Sequence, residues 1–269
     1  MAVLALEGIA KSWGAVEAVK GIDLEIATGE VVAICGDNGA GKSTLVKIMS
    51  GAERPTRGAI RLRGEPVAFL SPHDALAAGV ATIYQDLALA PRLAIYQNVF
   101  MGAERTIPLV PGLPFPRVLD RRGMIEASRG YLRRLKSSLS DMTAPVETLS
   151  GGQRQAVAIS RALCWNADVV IMDEPTAALG VAETAKVLDL VRALEADGKT
   201  VILVSHSMAD VVAVARRVVV MKTGRKVVDR PVDGLTADDL GHMVMTGRDE
   251  RLPRPVVAGA GNLERAAPS

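Results

Sequence analysis

Residues 31–44 read VVAICGDNGAGKST, and they set the architecture of the chain. Val31 to Cys35 form a short apolar run that suits a strand covered on both faces. The loop that follows matches G-x-x-x-x-G-K-[ST], with Gly36, Gly41, Lys42 and Ser43 in the fixed places. A helical pattern, TLVKIMSG, comes next. Glycines let such a loop curl until several N–H groups point inward. The helix N-terminus adds its dipole, so the segment reads as an anion cradle. Lys42 brings a full charge toward the β- and γ-phosphates of a nucleotide, and Ser43 offers a hydroxyl to Mg2+. Asp37, Asn38, Gly39, Ala40 and Thr44 make up the rest of the expected nucleotide-binding segment. A chance match is expected on the order of once per hundred chains of this length.

Similar apolar runs recur at 80–84, 169–173, 201–205 and 217–221. Helical patterns lie at 42–50, 152–164, 182–196 and 208–215. Strand–helix alternation of this kind indicates an α/β fold with a mainly parallel sheet. VLALEGI (3–9) and IDLEI (22–26) have no helix between them and are expected to form an antiparallel sheet beside the main one. From about 86 to 148 no strong strand pattern occurs, and helical stretches such as RRGMIEASRGYLRRLKSSL predominate. This part reads as a helical subdomain inserted in the α/β core, spanning about 86–165. Within it, IPLVPGLPFPRVLD (107–120) carries four prolines and is expected to be an exposed loop. The tail 249–269, rich in Pro, Ala and Gly, is expected to be poorly ordered. No internal repeat is present.

VVIMDEP (169–175) is an apolar strand ending in two acids. A phosphate site needs a metal-holding acid beside its loop, which assigns Asp173 to Mg2+. Glu174, one residue further, is placed to orient and deprotonate water. Ligands of doubly wound sheets sit beyond the carboxyl ends of the strands. His206, which closes VILVSH, should therefore meet Gly36 and Asp173 there and contact the γ-phosphate. Gln85 ends ATIYQD in the same way, and its amide can reach Mg2+ or the attacking water.

LSGGQRQ (149–155) opens a second helix. Ser150 and Gln153 have capping-box spacing. A cap alone does not call for Gly151 and Gly152, since glycine costs roughly 1 kcal/mol relative to alanine in a helix. Two residues without side chains let a phosphate approach the backbone N–H groups at the positive end of the helix dipole. The spacing leaves open whether both anion sites grip the same nucleotide.

Composition narrows the class further. Of 269 residues, 49% are hydrophobic but only 3% aromatic, so the core must be aliphatic. Thirty-two basic and 30 acidic residues give a net charge of +2, without the basic footprint of a nucleic-acid partner. Cys35 and Cys164 match no metal spacing and suit a reducing compartment. The start, MAVLALEGIAKSWG, lacks a basic segment and carries Glu7, so no signal peptide is expected. No run of about 18 apolar residues occurs.

GDNGAGKST, YQD, LSGGQRQ, VVIMDEP and VSH, in this order, resemble the nucleotide-binding subunit of ATP-binding cassette (ABC) transporters. The resemblance covers residues 3 to about 247, and LSGGQ is its diagnostic member. It implies a P-loop NTPase-type cassette over 1–248 that hydrolyses ATP with Mg2+. It also implies a head-to-tail dimer with two ATP molecules between the chains, in which Ser150, Gly151, Gly152 and Gln153 of one copy face the phosphate loop of the other. Trp13 occupies the aromatic position that stacks on adenine in this family, and stacking on a base is worth about 1–3 kcal/mol. Family members usually read ALD after DEPTA, whereas AALG puts Gly180 at the position of the Asp. Glycine there permits backbone angles forbidden to Asp.

Within the family, residues 83–102, 177–191 and 243–247 resemble bacterial importers of simple sugars. That resemblance implies a peripheral subunit on the cytoplasmic face of the inner membrane. Its partners would be an integral-membrane permease docked near 86–120, a second copy of the chain and, indirectly, an extracytoplasmic solute-binding protein. An exporter subunit is the closer rival. Ribosome-acting cassettes usually carry two cassettes per chain. DNA-repair cassettes insert a long coiled coil before LSGGQ, and sustained heptads are absent here.

Overall fold

The computed structural model describes residues 1–110, 115–177 and 179–249. Two sheets dominate it. The first is antiparallel, in the order β2-β1-β4-β5. Its strands are β1 (Ala2–Trp13), β2 (Val16–Ala27), β4 (Arg57–Leu62) and β5 (Glu65–Val67). The second has six strands, in the order β12-β11-β3-β10-β9-β6. These are β3 (Val31–Cys35), β6 (Val80–Ile83), β9 (Val169–Asp173), β10 (Thr200–Val204), β11 (Arg217–Lys222) and β12 (Arg225–Pro231). All neighbours in it are parallel except β11 and β12.

The continuous apolar runs have their predicted cause. Val31, Ala33, Val170, Met172, Val201 and Leu203 enter one core, while Val32, Ile34, Val169, Ile171, Ile202 and Val204 enter another. Alternate side chains of each central strand are thus buried on opposite faces. The first core is shared with α5 (Gly151–Cys164), α6 (Val181–Ala196), α7 (Met208–Val214) and α8 (Ala237–Thr246). The second lies between the two sheets and holds α1 (Lys42–Met49) and Ala75 of α2 (Pro72–Ala77).

The inserted helical part contains α3 (Ile95–Val99) and α4 (Arg121–Arg134), which pack on each other and on α5. Here the sequence reading needs correction. The described residues of the proline-rich stretch are mostly exposed, as expected, but they do not form a plain loop. β7 (Thr106–Pro108) and β8 (Arg117–Leu119) pair antiparallel. Their three ladder pairs and the hydrogen bonds from Arg117 to Thr106 hold them together, with Pro108 at the end of β7, where the ladder tolerates it. Residues 111–114 of that stretch lie outside the described residues. So does the expected poorly ordered tail, apart from Asp249, whose carboxylate accepts from Arg230 Nη1 at 2.6 Å.

Candidate active site

Strand register brings the separate motifs to one edge. Val204 of β10 pairs with both Ile34 of β3 and Asp173 of β9, and Ile83 of β6 pairs with Met172. The residues that follow these pairs, Gly36, Glu174, His206 and Gln85, therefore leave the sheet at its carboxyl edge. Two of them are in near contact, with His206 Nδ1 3.3 Å from Glu174 Oε1. Glu174 is half-buried and His206 exposed. Gln85 is exposed and shares a cavity of ≈ 270 Å³ with Glu174, Pro175, Gly151 and Gln155. No described residue of the 36–44 loop lines that cavity.

The loop's glycines are fixed by close packing. A Cβ on Gly36 would stand 2.3 Å from the Met221 carbonyl oxygen, and one on Gly41 would stand 2.6 Å from that of Ala18. Gly41 has φ 99°, a left-handed conformation that glycine adopts freely, and it starts α1 with no side-chain cap. The first-turn amides of α1 thus lack a side-chain partner at the cap, as an anion cradle requires. Lys42 is buried, and its ammonium donates to the carbonyls of Gly36 (2.7 Å) and Asp37 (3.1 Å), closing the loop on itself. Ala40 is buried, whereas Asp37, Asn38, Gly39 and Ser43 are exposed and Thr44 is partly exposed.

Burial raises the Asp173 carboxyl above its ordinary value, the neighbouring Glu174 carboxylate adds to the rise, and Lys42 and Lys47 pull it back. An acid crowded in this way gains from a nearby cation. Asp173, Ser43 and Gln85, the residues that the sequence assigns to Mg2+, all offer oxygen donors, the chemistry that a hard ion such as Mg2+ favours. Cys35, beneath the loop, is a buried free thiol whose pKa burial pushes up to about 12. It is a packing residue.

The start of α5 is a capping box. The Gln153 N–H donates to Ser150 Oγ at 3.4 Å, and the Ser150 N–H donates to Gln153 Oε1 at 3.0 Å. The two glycines differ. A Cβ on Gly151 would lie 2.6 Å from Leu179 Cδ2, and the Gly151 N–H already donates to Glu183 Oε1 at 3.1 Å. The first contact is with the tip of a leucine side chain that can turn aside, and any residue but proline could make the second, so neither requires glycine at 151. Gly152 has ordinary clearance, its nearest neighbour being Lys186 Cβ at 3.5 Å. It borders, with Gln153, a groove of ≈ 850 Å³ between the end of α4 and α6.

Trp13 ends β1, 48% exposed, with the Lys11 ammonium 4.4 Å from its ring centroid. Its strand neighbour β2 meets the phosphate loop through Ala18. Gly180 has φ −71°, open to any residue, and free space around its Cβ position. The special backbone freedom expected of it is therefore not used. Glu183 and Gln155 escaped the sequence reading. Gln155 carried a signal, because it is a polar residue on the apolar stripe of α5, three positions after Gly152.

A glycine cradle between β3 and α1, with acids from β9 level with it on a parallel sheet, defines a nucleotide-binding cassette of the P-loop NTPase type. A family model described as ABC transporter matches residues 19–177. The fructose import ATP-binding protein of Rhizobium meliloti is 43% identical over 258 residues, 95% of this chain and 98% of that protein. The xylose/arabinose import ATP-binding protein of Sulfolobus acidocaldarius is 46% identical over 223 residues, 83% and 86% of the two chains. Among solved structures, the dimeric post-hydrolysis state of the ATP-binding cassette MJ0796 bound to ADP and Pi superposes with a TM-score of 0.69 at 26% identity, covering 86% of this chain and all of that one. The chain belongs to the ABC transporter family, as its ATP-binding cassette subunit.

Proposed function

We propose that this chain hydrolyses ATP to drive a simple-sugar importer. The observation that carries the reading is the near contact of Glu174 and His206 at the sheet edge that also holds the phosphate loop. In this reading Trp13 stacks on adenine and residues 36–44 wrap the phosphates. Lys42, now engaged with its own loop carbonyls, turns its ammonium toward the β- and γ-phosphates. Ser43, Asp173 and Gln85 hold Mg2+, which when bound neutralises phosphate charge. Glu174 accepts a proton from the attacking water, and His206 contacts the γ-phosphate.

Ser150, Gly151, Gly152 and Gln153 would serve the nucleotide of a second copy, a reading supported by the dimeric MJ0796 cassette. A permease would dock on the helical part. Support for this comes from Leu93, Met101, Ile107 and Phe115, large apolar side chains exposed there. Among the described residues no helix is long and apolar enough to cross a membrane. The reading puts the chain at the cytoplasmic face of the inner membrane as a peripheral subunit, where ATP and the docked permease meet. Sugar specificity would lie in the permease and an extracytoplasmic binding protein, and the sugar-import relatives support the substrate class.

Glu174→Gln is the test. It is expected to bind ATP normally while turnover falls about 10²–10⁴-fold. In a strain lacking the chain, ATP-dependent sugar uptake should return with the parent protein and not with this variant. Parent-like turnover by Glu174→Gln would remove the assigned base.

A further inference from the structure

Glu174 has φ 51°, in the left-handed region that non-glycine residues rarely occupy. Such a residue persists only where its surroundings over-determine it. On one side, the Glu174 N–H donates to the Val204 carbonyl at the end of β10 (2.9 Å). On the other, the Pro175 carbonyl accepts from Gln155 Nε2 (2.9 Å), and Thr176 Oγ1 donates to Asp210 Oδ2 (2.7 Å).

Gln155 is 5% exposed, and its Oε1 is buried without a hydrogen-bond partner. The Pro175 carbonyl can only accept, which fixes the amide with Nε2 toward it. A leucine would fill the volume of Gln155 and leave no stranded Oε1. The feature that distinguishes glutamine here is its N–H, held against the carbonyl that follows Glu174.

We infer that Gln155 is a positioning residue for hydrolysis. From the helix opened by LSGGQ, it clamps the Glu174–Pro175 segment in its strained conformation and so aims the Glu174 carboxylate. This rests on the reading of Glu174 as the base.

Gln155→Leu should lower turnover about 10–100-fold, the order expected when a catalytic group is slightly misplaced. Its affinity for ATP and its melting temperature should stay close to the parent's. Hydrogen exchange at the Glu174 amide should speed up. In the Glu174→Gln background, Gln155→Leu should add no further loss. Gln155→Glu places a carboxyl there that can donate only when protonated, so its turnover relative to the parent should recover as pH falls. Parent-like turnover and exchange in Gln155→Leu, alongside an inactive Glu174→Gln, would overturn this inference and leave the base assignment standing. An active Glu174→Gln would overturn the base assignment itself. A loss in Gln155→Leu that follows ATP affinity or melting temperature would reduce Gln155 to packing.

Discussion

A methyl group on Gly36 would stand 2.3 Å from the Met221 carbonyl, whereas one on Gly152 would meet nothing closer than Lys186 Cβ at 3.5 Å. The first glycine is required by the fold, and the second is not required by anything within the chain. Gly152 sits in the first turn of α5, where alanine is the better helix former by up to about 1 kcal/mol. Gly152→Ala should therefore keep or raise the melting temperature while lowering ATP turnover, because its methyl group obstructs an approaching phosphate. A raised melting temperature with unchanged turnover would show that Gly152 serves no phosphate.

The motifs made these residues legible in the sequence, but not their reasons. The packing behind Gly36 comes from Met221, on a strand near the far end of the chain, and the Gly151 contacts come from Leu179 and Glu183. No local pattern announces such approaches. The same holds for Lys42, whose charge the motif reveals and whose carbonyl contacts it does not.

At the scale of elements, β3, β6, β9, β10 and β11 were readable because each sends side chains into both cores and so carries a nearly unbroken apolar run. β4, β5 and β12 were not. β5 has three residues, β12 lies at a sheet edge, and RGAIRL of β4 and RKVVDRP of β12 interleave charges with apolar residues. The short α2 and α3 lack enough turns to show a period.

β12 is held to β11 by side-chain charge as well as by its ladder. Arg217 donates to both Asp229 oxygens (2.6 and 2.9 Å), and Lys226 donates to one (2.7 Å). Burial alone would raise the Asp229 carboxyl, but these donors hold it below its ordinary value of 3.8. A depressed carboxylate contributes stability above its unfolded value and loses it as pH falls through its folded one. Asp229→Asn should therefore cost about 1–2 kcal/mol near neutral pH. The gap should close below pH 3.8, as melting curves of both proteins across that range would reveal. A gap that widens on acidification would contradict this pairing.

For the whole molecule, sheet topology does most of the work of assembly. Parallel pairing of β3, β10 and β9 carries three motifs, far apart in sequence, to one edge. The strand-end positions of Gly36, Asp173 and His206 were enough to foresee that convergence. The spacing of the motifs left open whether both anion sites grip the same nucleotide. In one chain, the LSGGQ helix start borders the Glu174 cavity and the α4–α6 groove, and its amide at Gly151 is already taken by Glu183.

Cross-linking tests the proposed two-copy pocket most directly. Ser43→Cys and Ser150→Cys can be combined with Glu174→Gln and Cys164→Ser, since Cys35 is buried. Oxidation of this chain with its permease and Mg-ATP should join the thiol introduced in the phosphate loop of one polypeptide to the thiol introduced at the α5 cap of another. The product is a species of doubled mass that depends on ATP. A link that forms only within single chains, or no link under those conditions, would contradict a nucleotide site built from two copies.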